Sequence, residues 1–184
     1  GYSNDDCMIL NSLDFGLPQD RERAFIVSHF GSKLDVPSKI QQKKKPRSYN
    51  INDFIMTDYE ENPQHRIEAD MAQLNKTPSR DIMWEINGID PITKDTTVRT
   101  ITCNMDRTHT AALFKYNGIK GDTYRRLTLR EAFLLMGFTQ DEYQKAAALN
   151  FSYRKLNKLI GNSIVVNVLQ AVFEVMFDGK FDKD

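Results

Sequence analysis

Leu10-Asn11-Ser12-Leu13-Asp14-Phe15-Gly16-Leu17-Pro18-Gln19-Asp20-Arg21-Glu22-Arg23 is the stretch that decides how this chain folds. The run that leads into it, Cys7 to Ser12, is short and apolar and is bounded by acidic and turn residues, which suits a buried strand better than a helix. Phe15-Gly16-Leu17-Pro18 then turns the chain. Beyond the turn, Gln19 to Ser28 closes on Ala24-Phe25-Ile26-Val27, a β-branched and aromatic ending that predicts a second strand, so the pair reads as an edge hairpin of a larger sheet. Gln19, Arg21 and Arg23 alternate along that strand. A side-chain period of two sends the amide and both guanidiniums to one face and Glu22 and Ala24 to the other. Two neighbouring guanidiniums repel unless an anion lies close, and their forks suit phosphate oxygens or the carbonyl edge of a base. The competing reading is a sheet edge blunted by charge, with Glu22 paired to a neighbour.

Working outward, residues 31–48 change character. Pro37, Pro46, Ser38, Gln41-Gln42 and Lys43-Lys44-Lys45 read as a polar, basic connector and a boundary. From about Tyr49 to Arg99 only short apolar islands appear, at Ile51/Phe54/Ile55, Ile67/Met71/Leu74 and Ile82/Met83/Trp84/Ile86, which predicts a small irregular lobe. Helical signals are strong near the end. Thr128-Leu129-Arg130-Glu131 is a capping box ahead of Ala132-Phe133-Leu134-Leu135-Met136, with Gly137 placed to stop the helix. Thr139-Gln140-Asp141-Glu142 starts another in the same way. Gly161-Asn162-Ser163 precedes Ile164–Phe177, where Val165, Val168, Leu169, Val172 and Met176 recur on one helical face.

Composition bounds the function. The chain has 184 residues, 40% hydrophobic and 27% charged, enough for a packed core, and its 9 glycines and 6 prolines are too few for a low-complexity segment. No stretch approaches roughly 18 consecutive apolar residues, so no membrane span is expected. Lys+Arg and Asp+Glu number 25 each, so any affinity for a polyanion must come from local patches. Cys7 and Cys103 form neither a disulfide framework nor a metal-ligand pair, and a reducing cytoplasm fits them best. The opening Gly1-Tyr2-Ser3-Asn4-Asp5-Asp6 carries no secretory or transit pattern and reads as the middle of something, so the expectation is a C-terminal piece of a longer protein or one subunit of a split one.

Other candidate groups are fewer. Gly161-Asn162-Ser163 at a helix start would offer unpaired N–H groups to a carboxylate or phosphate, or would simply cap the helix. The basic stretch Arg125-Arg126-Leu127-Thr128-Leu129-Arg130-Glu131, with Lys115 and Lys120 upstream, either touches a phosphate backbone or forms ion pairs such as Arg130–Glu131. Lys43-Lys44-Lys45 has the same two readings, a solvated linker being favoured. His29, His65 and His109 lack metal-ligand or triad spacing. Neither cysteine has an adjacent base that would activate its thiol.

In order and together, three segments resemble the C-terminal part of the DNA (cytosine-5) methyltransferases. Leu10-Asn11-Ser12 through Phe15-Gly16-Leu17-Pro18-Gln19-Asp20-Arg21-Glu22-Arg23 resembles that family's motif VIII. Arg126-Leu127-Thr128-Leu129-Arg130-Glu131 with Met136-Gly137-Phe138 resembles motif IX, and Gly161-Asn162-Ser163-Ile164-Val165-Val166-Asn167-Val168-Leu169 resembles motif X. The resemblance implies an α/β fold, the C-terminal portion of a Rossmann-like, S-adenosylmethionine-dependent methyltransferase domain with an inserted irregular target-recognition domain. It implies double-stranded DNA as substrate, with the target cytosine flipped into a cleft between large and small domains. A cysteine thiolate then attacks C6, an acid supports N3 and C5 takes the methyl group. By resemblance Arg23 holds the cytosine O2, Arg21 lies toward the backbone and reacting base, and Gln19 supports that geometry. Asn162 and Ser163 face the amino-acid end of the S-adenosylmethionine pocket. Thr100 matches a threonine that contacts phosphate beside the flipped base, although the glycine-rich stretch usual after it is replaced by Asn104-Met105-Asp106-Arg107-Thr108, and Arg126 is a further DNA-binding candidate.

The same resemblance divides the chain into 1–30, the last strands of the catalytic domain; 31–131, the target-recognition domain including motif IX; 132–160, a helical hinge; and 161–184, motif X and the final helix. The family's cofactor loop, its Pro-Cys nucleophile motif and its Glu-Asn-Val acid motif would precede Gly1, and neither Cys7 nor Cys103 follows a proline. The chain alone is therefore expected to be inactive, with the N-terminal half on the same polypeptide or on a partner subunit. The expected activity is sequence-specific methylation of DNA cytosine at C5, in a restriction-modification setting. A non-catalytic DNA-binding or regulatory subunit derived from the family is the alternative, and RNA methylation on a related scaffold a third reading.

Overall fold

The computed structural model describes residues 2–30, 35–87, 96–105 and 112–177, with side chains over 7–28, 35–82, 96–105 and 112–177. His109 and the Asp106–Thr108 departure lie outside the described residues, as do the side chains of His29, Met83, Trp84 and Ile86.

The expected hairpin forms, in longer strands, but among the described residues it is a two-stranded sheet by itself and not the edge of a larger one. β1 (Tyr2–Asn11) pairs antiparallel with β3 (Glu22–Phe30), Leu10 standing opposite Arg23 and Asn11 opposite Glu22, with an irregularity between Ser3 and Asp6. Met8, Leu10 and Val27 point into the core, while Cys7, Ile9, Ala24 and Ile26 stand exposed on the other face, as the period of two requires. The turn between the strands is tightly specified. Asn11 accepts the Leu13 N–H, a 3-10 turn spans Ser12–Phe15, and Gly16, at φ +84°, closes it in the left-handed region that glycine tolerates.

The single second strand expected from Gln19 to Ser28 is broken at Arg21. β2 (Gln19–Asp20) runs parallel to β4 (Val98–Arg99), whereas β3 pairs with β1, so the chain changes partners within one residue. Arg21 N–H bonds back to Gln19 O, and Arg21 O receives the Ser12 N–H. The exchange of partners bends the strand, a long-range event that a local alternation pattern does not register.

The expected connector contains a helix. α1 (Val36–Lys43) is N-capped by Asp35 and buries Val36 and Ile40, four residues apart, against the last helix of the chain. Its basic end is tied down rather than merely solvated: Lys43 pairs with Glu174, and Lys44 and Arg47 both pair with Asp14. The following segment is more regular than the islands predict. It holds α2 (Pro63–Ala72) and α3 (Pro78–Asn87), and beyond it β5 (Leu113–Gly118) and β6 (Gly121–Arg126) form an antiparallel hairpin.

Both capping boxes are present, at Thr128/Glu131 for α4 (Leu129–Leu135) and at Thr139/Glu142 for α5 (Gln140–Ala148), and Gly137 ends the first of these helices at φ +88°. α6 (Tyr153–Asn162) and α7 (Val166–Met176) complete the chain. Gly161-Asn162-Ser163 therefore does not open the last helix: Gly161 and Asn162 are the final turn of α6, Ser163 is its C-cap, and α7 begins after Val165. The stretch Tyr153–Met176 is long and apolar enough to cross a membrane, yet it is interrupted at Ser163–Val165 and sends Leu156, Ile160, Val168, Val172 and Val175 inward. One cluster of buried side chains runs from Leu10 and Phe15 through Ile51, Ile101, Leu127 and Leu135 to Val168 and Val172, so both ends of the chain and the segment between them share a core.

Candidate functional site

Three distant segments meet where the strand breaks. Gln19 is fully buried: its amide nitrogen donates to Leu135 O at 2.9 Å, and its amide oxygen accepts the Ile101 N–H at 3.1 Å. Arg21 is only 5% exposed, with Nη1 donating to Ile101 O at 2.7 Å and Nη2 donating to Gly161 O and Ser163 O at 3.1 and 2.9 Å. The expectation of three polar heads presented together on one strand face is thus corrected. Gln19 and Arg21 are spent on main-chain groups, and Arg23 alone is exposed, its Nη1 resting on Glu22 O at 2.6 Å. Burial, and then the neighbouring charge of Arg23, holds the Arg21 guanidinium below the usual arginine range, at about 10.

Arg23 and Arg21 line a small cleft with Leu10, Phe25, Ile164, Val165 and Val168, so the exposed cation sits beside the link between α6 and α7. Asn162 lies exposed at the start of that link, and its side-chain amide makes no hydrogen bond among the described residues. Ser163 turns its hydroxyl back onto Leu159 O at 2.8 Å, which leaves oxygen lone pairs but no free donor. Because these residues close α6, the anion site inferred from a helix start is also corrected. They stand at the carbonyl, negative end of a helix, and the guanidinium of Arg21 already occupies two of its carbonyls.

Thr100 follows β4 and donates its hydroxyl to Asp20 O at 2.8 Å, fixing it beside the strand break. The segment after it packs directly on α6: a Cβ at Gly161 would run into the main chain of Thr102 and Cys103, and Asn157 Nδ2 donates to Cys103 O at 3.2 Å. Asn157 is buried and its Oδ1 has no partner among the described residues. Sequence reading took Gly161 only as part of a helix start and passed over Asn157. Gly161 carries no local turn signal, and the one clue to Asn157 is a polar residue on the apolar α6 stripe with Leu156 and Ile160.

The basic stretch resolves mainly into ion pairs, though with different partners from the adjacent Arg130–Glu131 pair expected. Arg125 is buried, forks onto both carboxylate oxygens of Glu131 at 2.8 Å and stacks over Phe114, while Arg130 pairs with Glu68. Arg126 is half-buried with its guanidinium 5.0 Å above the Tyr153 ring. Arg126 thus lies on α6 at the other end from Asn162. Of the described cysteine and histidine side chains, Cys7 is exposed, Cys103 half-buried, and His65 hydrogen-bonds Asp58 at 2.7 Å. No group of three or more His, Cys, Asp or Glu gathers to hold a metal among the described residues.

Comparison with known proteins finds methyltransferases. The family model for C-5 cytosine-specific DNA methylase matches residues 1–178. The chain is 29% identical over 174 residues to the Type II methyltransferase M.NgoBI of Neisseria gonorrhoeae, covering 91% of this chain and 49% of that protein. It is 30% identical over 178 residues to the Type II methyltransferase M2.ScrFI of Lactococcus lactis subsp. cremoris, covering 96% and 46%. The chain spans about half the length of these curated relatives. Among solved structures, the S. pombe Dnmt2 methyltransferase superposes with a TM-score of 0.66 at 20% identity, over 98% of this chain and 60% of that one. The Entamoeba histolytica methyltransferase EhMeth superposes with the same TM-score at 15% identity, over 98% and 55%. These likenesses show a methyltransferase fold, mixed α/β and consistent with a Rossmann-like domain.

Proposed function

The chain belongs to the C-5 cytosine-specific DNA methylase family, and from that premise we propose that it is the C-terminal half of an enzyme that transfers a methyl group from S-adenosylmethionine to C5 of a flipped cytosine in double-stranded DNA. The observation that supports the reading is the meeting of three segments, 19–23, 100–103 and 161–165, on the buried guanidinium of Arg21, with the exposed guanidinium of Arg23 lining the cleft beside Ile164 and Val165. A guanidinium so placed holds the O2 of a cytosine and favours the electron shift that opens C6 to a nucleophile. Thr100, half-buried just after β4, donates to a DNA phosphate once its hydroxyl turns from Asp20 O, and Arg126 is a second backbone contact.

The donor set fits the cofactor in part. The free amide of Asn162 suits the amino-acid end of S-adenosylmethionine, and Ser163 contributes an acceptor only. When bound, the cofactor supplies the methyl group. Gln19 and Arg21 hold the main chain that presents these groups and contact no reactant in this reading. The nucleophilic cysteine and the acid at N3 belong to the other half, on the same polypeptide or a partner subunit, and the chain alone is inactive. The division into 1–30, 31–131, 132–160 and 161–184 is part of the same proposal, as is a place beside a restriction endonuclease, which the Type II names of the two relatives support.

Bisulfite sequencing of DNA from cells expressing the complete protein tests this. Protected cytosines at one fixed sequence are expected. DNA with no protected cytosine would contradict the enzymatic reading and favour a regulatory DNA-binding subunit.

A further inference from the structure

Arg21 donates hydrogen bonds to both segments assigned above to the two substrates. Its Nη1 holds Ile101, next to Thr100, and its Nη2 holds Gly161 and Ser163, which flank Asn162. These carbonyls lie 80, 140 and 142 residues away in sequence. A planar guanidinium with donors in a fixed fork spans them, whereas a lysine ammonium on a flexible stem cannot hold the same three directions at once. A buried cation next to a second arginine is costly to maintain, and an apolar side chain would fill the space more cheaply if packing were its only task. Two further contacts make the joint stiff. Gly161 lets α6 meet residues 102–103 main chain to main chain, and Asn157 bonds Cys103 O. Gln19 fixes the other side of Ile101, so the 100–103 segment has little freedom to shift independently of α6.

We propose that Arg21 is a positioning residue that couples the cofactor-facing link Asn162–Ser163 to the DNA-facing segment Thr100–Ile101, so that occupation of either site strengthens binding at the other. The inference rests on the site assignments of the proposed function. Coupling of this kind is reciprocal, because both ligands bias the same element. The guanidinium reaches no reactant, so its effect is read in the ratio of affinities rather than in the chemical step.

The test uses the complete protein and S-adenosylhomocysteine, which binds without turnover, titrated with and without a duplex carrying the methylated sequence found by bisulfite sequencing. For the wild type, DNA is expected to tighten S-adenosylhomocysteine about tenfold, within the usual range of allosteric coupling. Arg21→Lys keeps the charge and is expected to reduce that ratio to within about twofold of unity while each ligand still binds alone. A residue with a purely structural role would weaken both single-ligand affinities and leave the ratio intact, so an unchanged ratio in Arg21→Lys overturns the proposal, as does a wild type with no coupling. A wild type that binds neither ligand overturns the proposed function itself, and the coupling with it. Should Arg21→Lys not fold, amide exchange in the wild type decides: S-adenosylhomocysteine alone should slow exchange across residues 101–103, and unaltered exchange there would overturn the proposal.

Discussion

Replacing Glu131 by glutamine removes one charge from a pair of side chains that are 0% and 1% exposed. The carboxylate accepts four hydrogen bonds: both Arg125 guanidinium nitrogens at 2.8 Å, Met56 N–H at 2.9 Å and Thr128 N–H at 2.8 Å. In the Glu131→Gln variant one oxygen survives, and the new amide nitrogen faces two donors, so two acceptor positions are lost. Arg125 is left as a buried cation without a counter-charge, with the surviving amide oxygen, Tyr59 Oη and the carbonyls of Met56 and Arg126 as its remaining partners. Breaking one side of such a buried pair costs about 3–5 kcal/mol. Urea unfolding of the complete protein, followed by tryptophan fluorescence and by circular dichroism, measures it. Two controls separate the cause. Arg130→Met breaks the less buried Glu68 pair and should cost only about 1 kcal/mol. The double variant Arg125→Met with Glu131→Leu should recover most of the loss, because apolar replacements of a whole buried pair are often neutral or stabilising. A Glu131→Gln variant within about 1 kcal/mol of wild type would refute the claim that this pair ties the 56–59 segment to α4.

Three further outcomes follow from the geometry. Arg23→Ala, at an exposed position, should leave stability unchanged and lower methyl transfer by the complete enzyme about a hundredfold or more, the effect of removing one preorganised electrostatic group; unchanged turnover would take Arg23 out of the mechanism. Gly161→Ala should destabilise by about 1–3 kcal/mol, since its Cβ meets main chain of Thr102 and Cys103 that no rotamer change can clear, and a denaturation midpoint equal to wild type would contradict that contact. Burial, and then the Asp70 and Glu68 carboxylates respectively, pushes the Tyr116 and Tyr143 hydroxyls up to about 12. These raised values favour the neutral form in the native state, so their contribution is complete below the ordinary tyrosine value near 10 and is lost as pH rises from about 10 to 12; alkaline absorbance titration should show two tyrosines ionising late, and all seven titrating together near 10 would disagree.

What the sequence disclosed was local. The capping boxes at Thr128 and Thr139 and the stop at Gly137 are patterns within four residues, and each forms as read. The β1–β3 hairpin follows from alternation and a turn. Reading failed where partners are distant. Nothing local to Gln19-Asp20-Arg21 announces that β2 joins β4 nearly 80 residues on, so Gln19 and Arg21 looked like solvent-facing groups beside Arg23. The lysines of residues 43–45 obscured α1, whose two buried side chains are too few to outweigh the charge around them. An apolar run after Gly161-Asn162-Ser163 made a helix start of what is a helix end, because the same polar residues suit both positions.

The most direct measurement is transfer of a labelled methyl group from S-adenosylmethionine to cytosine C5 in unmethylated DNA, made with the complete native species and, beside it, with these 184 residues alone. Label at C5 from the complete species only is the predicted result. Transfer by the short chain would contradict the assignment of the nucleophile to the other half, and DNA binding without transfer by either would contradict the enzymatic role.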